Sequence, residues 1–321
     1  MLVHRKGKRL PLAVGLSALL LIAIVIAVLA NRGGGNGDSA PASRPNAEQA
    51  EHGADHSDTY VIDVGSRRLR SVTHHPPAQQ PSWSHDDRIA FSYADCDECF
   101  SKLGYTDPSG RQQVAVRTRV THLFQPTWSP DSRTIAVVAL GRGIYSVALK
   151  DRTMRKLTSG QSDEAPSWSP RSDWIAFDKQ VSGTNYDLYM VNAATRQVRR
   201  LTHDRRPQTN PSWSGDGSRI AFAEQQANGN WAIVTMKRDG SGRKRVTNPR
   251  TSAQEPSWSP DGRRSAFIQQ GLDKASLAIV DADGGSRPEV LTGRSLFPAR
   301  PTWSPTGESV AFAARAVPGP G

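Results

Sequence analysis

Short runs of alternating apolar and polar residues follow one another along most of the chain, and clusters of turn residues separate them. Between Trp213 and Thr247, for example, the runs "SWS", "RIAFAEQ", "WAIVTMKR" and "RKRVT" are divided by "GDGS", "NGN" and "DGSG". Alternation with a period of two is typical of β-strands, and Gly, Asp and Asn favour tight turns. This pattern predicts four short strands in each unit of the sequence.

The unit recurs six times. Each copy contains a phrase similar to "PSWSPDGRRSAF", and the tryptophans of successive copies are separated by 45, 40, 45, 45 and 45 residues. A period of this length is one supersecondary unit of a repeat fold. We expect one tryptophan to be buried at each contact between neighbouring units. These tryptophans are Trp83, Trp128, Trp168, Trp213, Trp258 and Trp303.

The two ends of the repeat region are incomplete in complementary ways. A predicted outer hairpin at 60–73 precedes the first tryptophan phrase, and the last phrase, at 301–312, has no hairpin after it. The N-terminal strands therefore complete the C-terminal sheet, which closes a ring and protects its edges. The sequence predicts an all-β fold, a six-bladed β-propeller with one blade made from both ends. An open solenoid or a sandwich fits less well, because a solenoid coil is usually shorter.

The N-terminus has the pattern of a membrane anchor. A basic segment, 1–9, precedes an apolar segment, 10–30, whose residues Pro11 to Ala30 carry no charge. Twenty apolar residues span a bilayer as a helix, and the positive flank is expected on the cytoplasmic side. The alternative is a cleaved signal peptide ending at "VLA", Val28 to Ala30, which would release the protein. Both interpretations place the rest of the chain outside the cytoplasm, on the periplasmic or cell-wall side.

Three further segments follow the apolar run. Residues 31–57 are rich in Gly, Ala, Ser and Asp and have few large apolar side chains, which is typical of a disordered linker. The predicted propeller occupies 58–315, and 316–321 is expected to be a disordered tail.

The net positive charge of the chain restricts the classes of partner but does not identify one. The chain has 41 Lys and Arg against 30 Asp and Glu, a formal net charge of +11. Many basic residues fall on or beside the predicted outer strands, where they oppose edge-to-edge aggregation. Such a rim also attracts anionic lipid or an acidic surface polymer. Nucleic acid is not expected as a partner, because the predicted propeller is exported.

The repeated phrase resembles the TolB-type β-propeller repeat. "PSWSPDGRRSAF" and the "LT" that ends several predicted outer strands, as in "RKLT" and "RRLT", carry the resemblance over residues 58–314. The resemblance implies a propeller of the cell envelope that binds other proteins. The α/β domain that precedes the propeller in TolB is not expected here, since a linker precedes the first strand.

No pattern of an enzyme is present in the sequence. A propeller-linked peptidase needs a "GxSxG" turn, and neither this motif nor a P-loop or "HExxH" occurs. We therefore predict a protein that is not an enzyme and has no cofactor and no bound metal. An enzyme or a small-ligand sensor with its site in the central channel is the alternative.

Two cysteines lie close together in "ADCDECF", Cys96 and Cys99, between the second and third strands of the first unit. In an exported protein we expect them to form a local disulfide. A redox role is also open, because this spacing can lower a thiol pKa. Metal binding would need a second pair of ligands.

The topology of a propeller brings one position of every unit to the central channel. This is the residue before the proline of each phrase, and five of the six are polar and differ from one another. They predict an asymmetric binding site at the channel mouth for a protein or peptide of the envelope, held near the membrane by the N-terminal helix. Ordinary solvated loop ends are the alternative for these positions. A purely structural envelope component that binds anionic polymer is a further alternative. The five residues are Gln80, Gln125, Asn210, Glu255 and Arg300, and Ala165 is the sixth.

Overall fold

The computed structural model describes residues 57–73, 78–94, 100–171, 173–271, 274–293 and 296–316. Within these residues the chain forms 24 strands in six antiparallel four-stranded sheets. The first strand of each tryptophan-containing sheet contacts the first strand of the next, and the sixth sheet contacts the first. The ring is therefore closed, and the predicted six-bladed propeller is confirmed.

The strands are numbered along the chain. Two of them precede the first complete blade: β1 (Asp58–Asp63) and β2 (Leu69–Ser71). Blade 1 contains β3 (Ala78–Trp83), β4 (Ile89–Tyr93), β5 (Lys102–Thr106) and β6 (Val114–Val116). Blade 2 contains β7 (Leu123–Trp128), β8 (Thr134–Ala139), β9 (Gly143–Ala148) and β10 (Met154–Lys156). Blade 3 contains β11 (Asp163–Trp168), β12 (Trp174–Ser182), β13 (Asn185–Asn192) and β14 (Val198–Arg200).

The remaining blades follow the same order from the channel outward. Blade 4 contains β15 (Gln208–Trp213), β16 (Arg219–Gln225), β17 (Trp231–Lys237) and β18 (Lys244–Arg245). Blade 5 contains β19 (Ser252–Trp258), β20 (Arg264–Gln270), β21 (Ala275–Asp281) and β22 (Glu289–Val290). Blade 6 contains β23 (Leu296–Trp303) and β24 (Ser309–Ala316), and β1 and β2 complete it.

Blade 6 is the mixed blade that the sequence predicts. β1 pairs antiparallel with β24, from Asp58 opposite Ala314 to Asp63 opposite Ser309. β2 pairs with β1 on the outside, and β23 pairs with β24 on the inside. Each of the other blades takes its strands from consecutive positions in the chain, whereas this blade joins the two ends of the propeller.

The turn inside the tryptophan phrase of blade 4 has a local chemical cause. In blade 4, Ser214 Oγ donates a hydrogen bond to Asp216 Oδ1 at 2.6 Å, and the amide N–H of Arg219 donates to Ser214 Oγ at 2.9 Å. The hydrogen bonds to its carboxylate, above all the one from Ser214, lower the pKa of Asp216 to about 2. The next residue, Gly217, has φ +69°, a conformation that glycine adopts without a side-chain penalty.

Four of the six repeated tryptophans are buried between blades as predicted, each about 5% exposed: Trp128, Trp213, Trp258 and Trp303. Arg88 lies 4.7 Å from the Trp128 ring centroid and Arg264 lies 4.9 Å from that of Trp303. Such cation–π contacts also exclude water from the ring face. Trp213 is covered in another way, because it shares a buried cluster with Trp174 of blade 3.

Trp83 and Trp168 depart from this prediction, because both are only half-buried. At the position that Arg88 occupies in blade 1, the blades before these two tryptophans carry Ser309 and Thr134. These short side chains do not reach across the neighbouring indole. The exposure of the two rings therefore follows from the residue on the preceding blade. Both rings still pack against clusters of buried residues.

The N-terminal predictions lie outside the described residues. These are the basic segment 1–9, the apolar segment 10–30 and nearly all of the linker 31–57. Among the residues that the structure describes, no helix has the length and apolar character needed to cross a bilayer. The C-terminal boundary of the propeller differs slightly from the prediction, since β24 continues to Ala316.

Candidate functional site: a polar ring around the central channel

Each inner strand contains a β-bulge at the residue before the proline of its phrase. In β3, Gln79 lies opposite Ser92 and Ser82 lies opposite Ala90, so Gln80 and Pro81 together face one residue of β4. The five other inner strands shift register at the same place. A bulge interrupts the ladder of hydrogen bonds, so a proline, which has no N–H, is tolerated there.

The bulge gives the residue before the proline a left-handed backbone. All six have φ between +48° and +56°, although none is glycine: Gln80, Gln125, Ala165, Asn210, Glu255 and Arg300. Residues other than glycine rarely adopt this conformation, and such strain is often found at functional sites. The surrounding sheet holds the conformation in every blade.

These six residues surround one central cavity of about 150 Å³, together with the proline and the Ser or Thr that follow each of them. The structure thus brings together the five polar residues singled out in the sequence. They lie inside the inner strands, whereas the sequence placed them at the ends of the loops between blades.

Part of the ring is linked by hydrogen bonds from blade to blade. The amide N–H of Gln125 donates to Gln80 Oε1 at 2.8 Å, and the N–H of Ala165 donates to Gln125 Oε1 at 2.6 Å. In the same way, the N–H of Arg300 donates to Glu255 Oε2 at 2.7 Å. These side chains therefore satisfy the backbone amide that the bulge of the next blade leaves without a ladder partner.

Ala165 has no side-chain acceptor, and a different residue takes over this role. The N–H of Asn210 donates to Asp178 Oδ2 at 2.8 Å, and Asp178 belongs to β12, the second strand of blade 3. Asp178 Oδ1 and Asn210 Nδ2 are buried and have no hydrogen-bond partner among the described residues. The ring is thus most polar and least satisfied between blades 3 and 4.

Charge is distributed unevenly around the ring. On one side, Glu164 lies opposite Asp178 across the pair β11 and β12, and both are buried. Blade 6 is on the opposite side of the six-bladed ring, where Arg300 Nε lies 3.4 Å from Glu255 Oε1. Buried carboxylates therefore lie beside the ring at blade 3, on the side opposite the guanidinium group of Arg300.

Burial raises the pKa of Asp178 to about 7, and the negative charge of Glu164 adds to the shift. The hydrogen bond from the N–H of Asn210 and the positive charge of Arg300 act in the other direction without cancelling it. An acid whose pKa is higher in the folded state binds more protons there than in the unfolded chain. Stability therefore decreases as pH rises from about 4 to about 7, where Asp178 becomes charged.

We expect Asp178→Asn to flatten this part of the pH profile. Asparagine keeps an oxygen that can accept the N–H of Asn210, and it removes the buried charge. The wild-type free energy of unfolding should fall between pH 4.5 and pH 7.5 by about 3 kcal/mol more than that of the variant. Urea unfolding across this range measures the difference. Asp239→Asn, in an exposed turn, is the control, and a variant that keeps the full wild-type slope contradicts the assignment.

Asp178 and Glu164 were not singled out in the sequence. The signal was available in the repeat itself, since the residues at the position of Asp178 in the other blades are small or apolar: Ser92, Val138, Ala223, Ile268 and Ala313. A carboxylate in the middle of a core strand of one blade alone indicates a role outside packing.

The predicted cysteine chemistry is not described by the structure, because Cys96 and Cys99 lie outside the described residues. Among the residues that are described, no group of three or more His, Cys, Asp or Glu side chains is arranged to hold a metal ion. The channel ring is therefore the site on which a functional proposal rests.

A closed ring of six four-stranded blades around a polar channel defines the class of six-bladed β-propellers. The chain belongs to the family described as the TolB beta propeller domain, which it matches over residues 87–319. This agrees with the resemblance of the tryptophan phrase.

Individual proteins similar to the chain carry the same name. The match to the Tol-Pal system protein TolB of Alcanivorax borkumensis is 29% identical over 148 residues. It covers 38% of this chain and 34% of that protein. The putative TolB from Agrobacterium tumefaciens superimposes with a TM-score of 0.70 at 23% identity, covering 82% of this chain and 99% of that one. An oligogalacturonate lyase from Vibrio parahaemolyticus superimposes with a TM-score of 0.51 at 12% identity, covering 81% and 97%. Enzymes thus share this architecture.

Proposed function

We propose that this propeller is a non-catalytic binding scaffold of the cell envelope, which captures a protein or peptide at the mouth of its central channel. The observation that carries the proposal is the ring itself. Its six equivalent positions share the same left-handed backbone conformation, and their side chains differ chemically. A purely structural ring would be served by one residue type repeated six times. The differences between the blades give a ligand a single preferred orientation.

The size of the cavity supports insertion of a single group of the partner, and it does not support a polypeptide chain that threads through the channel. A volume of about 150 Å³ is roughly what one benzene-sized group fills. A partner would therefore insert one side chain or chain end into the channel and lie across the surrounding face. Arg300, whose side chain is about 16% exposed, is the charged ring residue that supplies hydrogen-bond donors to an acidic or amide group of that anchor.

The placement of the scaffold at the membrane rests on the sequence. The apolar run from Pro11 to Ala30 would hold the chain in the bilayer, and the following linker would let the propeller reach partners near the surface. We propose an extracytoplasmic location on this basis, with a secreted form if the apolar run is cleaved.

Arg300→Gln tests the proposal with little risk to folding. Gln80 and Gln125 occupy the same ring position in blades 1 and 2 with nearly the same φ, so glutamine is compatible with this backbone. We expect capture of envelope proteins by the purified full chain to fall about tenfold, as for the loss of one charge-assisted hydrogen bond. Quantitative mass spectrometry after cross-linking measures the captured proteins.

The matched control is Arg238→Gln. Arg238 is exposed in the turn after β17. This turn lies at the opposite end of blade 4 from the turn that joins β16 to β17, and the substitution removes the same charge. Capture by this variant should equal that of the wild type. If Arg300→Gln captures the same proteins at the same level, the channel mouth is not the binding site.

A further inference from the structure

A second cavity lies away from the channel, between the outer parts of blades 2 and 3. Its volume is about 440 Å³, within the range of small-molecule sites in proteins. Blade 2 has the shorter repeat, and its strand β8 has six residues where β12 of blade 3 has nine. Blade 2 therefore covers less of the face of blade 3 that packs against it.

Three cationic side chains line this cavity: Lys156 of blade 2, and Lys179 and Arg196 of blade 3. One carboxylate, that of Asp163, lines it as well, and Lys179 Nζ lies 3.3 Å from Asp163 Oδ1. Asp163 Oδ2 also accepts the N–H of Gly160 at 2.9 Å. The negative charge is thus already compensated, and no ion pair joins Lys156 or Arg196 to a carboxylate in the part of the chain that the structure describes.

Apart from the polar Thr158 and Ser159, the remaining lining is apolar. Phe177 and Leu157 are buried, and Val198 is 47% exposed on the outer strand β14. The lysines are also positioned by aromatic rings, since Lys156 Nζ lies 5.8 Å from the Tyr145 ring centroid and Lys179 Nζ lies 5.8 Å from that of Tyr189. The cavity therefore combines an apolar surface with an excess of positive charge.

The repeats provide an internal comparison. Asp163 lies directly opposite Lys179 across β11 and β12. The pairs at this place in the five other blades contain no opposite charges: Ala78 and Tyr93, Leu123 and Ala139, Gln208 and Glu224, Ala253 and Gln269, and Pro298 and Ala314. The Asp163–Lys179 pair is a feature of blade 3 and is not required to build a blade.

We propose that the cavity between blades 2 and 3 binds an organic anion, a carboxylate group carried on an apolar body. Lys156 and Arg196 hold the carboxylate by charge-assisted hydrogen bonds, and the apolar body packs on Phe177 and Val198. A neutral ligand leaves the two cations without a counter-charge, and a small inorganic anion leaves the apolar surface uncovered. The site is independent of the channel ring and of the function proposed for it.

Benzoate is a suitable probe, with benzyl alcohol and inorganic phosphate as its neutral and its non-apolar counterparts. In ligand-observed NMR titrations of the full chain, benzoate should bind at least about tenfold more tightly than either counterpart. Lys156→Met and Arg196→Met should each weaken benzoate binding about tenfold, whereas Lys156→Arg retains it. Lys244→Met, on the outer strand of blade 4, is the matched control and should bind benzoate like the wild type.

The variants also separate this proposal from the channel ring, because Arg300→Gln should leave benzoate binding unchanged. Melting temperatures confirm that each variant is folded. The proposal is overturned if benzyl alcohol or phosphate binds as tightly as benzoate. It is also overturned if the folded Lys156→Met and Arg196→Met variants bind benzoate with the wild-type dissociation constant.

Discussion

Removal of residues 301–321 is expected to abolish cooperative folding of the propeller. The truncation removes β24, which is the partner of both β1 and β23, and also the last three residues of β23. The buried side chains of Trp303 in β23 and Phe312 in β24 are lost with them. Each of these aromatic residues is worth about 3–5 kcal/mol when deleted from a core. Together they approach the whole stability of an ordinary domain, about 5–15 kcal/mol, before any lost strand pairing is counted.

Differential scanning calorimetry measures this outcome. The truncated chain should show no cooperative transition near the melting temperature of the intact protein. The control truncation removes 317–321 and keeps all 24 described strands, so it should melt like the intact protein. A chain without 301–321 that still melts cooperatively at the original temperature contradicts the closure of the ring by blade 6.

Phe312→Ala is expected to have a large effect on stability for a single substitution. The ring of Phe312 is fully buried in β24 and stacks on Tyr60 of β1 with their centroids 6.0 Å apart. It also packs with the facing side of blade 5, in a cluster that contains Ile268 and Leu277. Truncation to alanine should lower the free energy of unfolding by about 3–5 kcal/mol, through the lost burial and the cavity left behind.

Phe100→Ala is the matched control for this substitution. Phe100 is 56% exposed and its ring contacts His122, so its truncation should change stability by less than about 0.5 kcal/mol. Urea unfolding of the two variants compares the same chemical change at a buried and at an exposed position. Equal stability losses would show that Phe312 does not lie in the core between blades 5 and 6.

The architecture was predictable because one signal is repeated six times. A single phrase such as "PSWSGDGSRIAF" predicts two strands and a turn, and its spacing and the complementary ends then give the number of blades and the closure. The degree to which each tryptophan ring is buried was not predictable from its own phrase. Trp128 is covered by Arg88, which belongs to the preceding unit of the chain, and Trp168 is half-buried because Thr134 stands at the corresponding place.

The candidate site was predictable in its position and not in its chemistry. Topology brings Gln80 and its equivalents to the channel, but no pattern in the sequence indicates that they form bulges with a left-handed backbone. The hydrogen bonds of the ring depend on the distance between neighbouring blades. Asp178 supplies the acceptor that Ala165 lacks, and this role is a property of the assembled ring. It can be recognised only when β11 and β12 of blade 3 and β15 of blade 4 are in place.

The central claim is that β1 is an integral strand of blade 6, paired with β24. Hydrogen exchange of the native protein, followed by mass spectrometry, tests this claim most directly. Because β1 and β24 share one ladder from Asp58–Ala314 to Asp63–Ser309, the amides of 58–63 and 309–314 should be protected to a similar degree and should lose protection together as urea is added. Exchange of 58–63 at the rate of an unstructured peptide, while 309–314 stays protected, would contradict it.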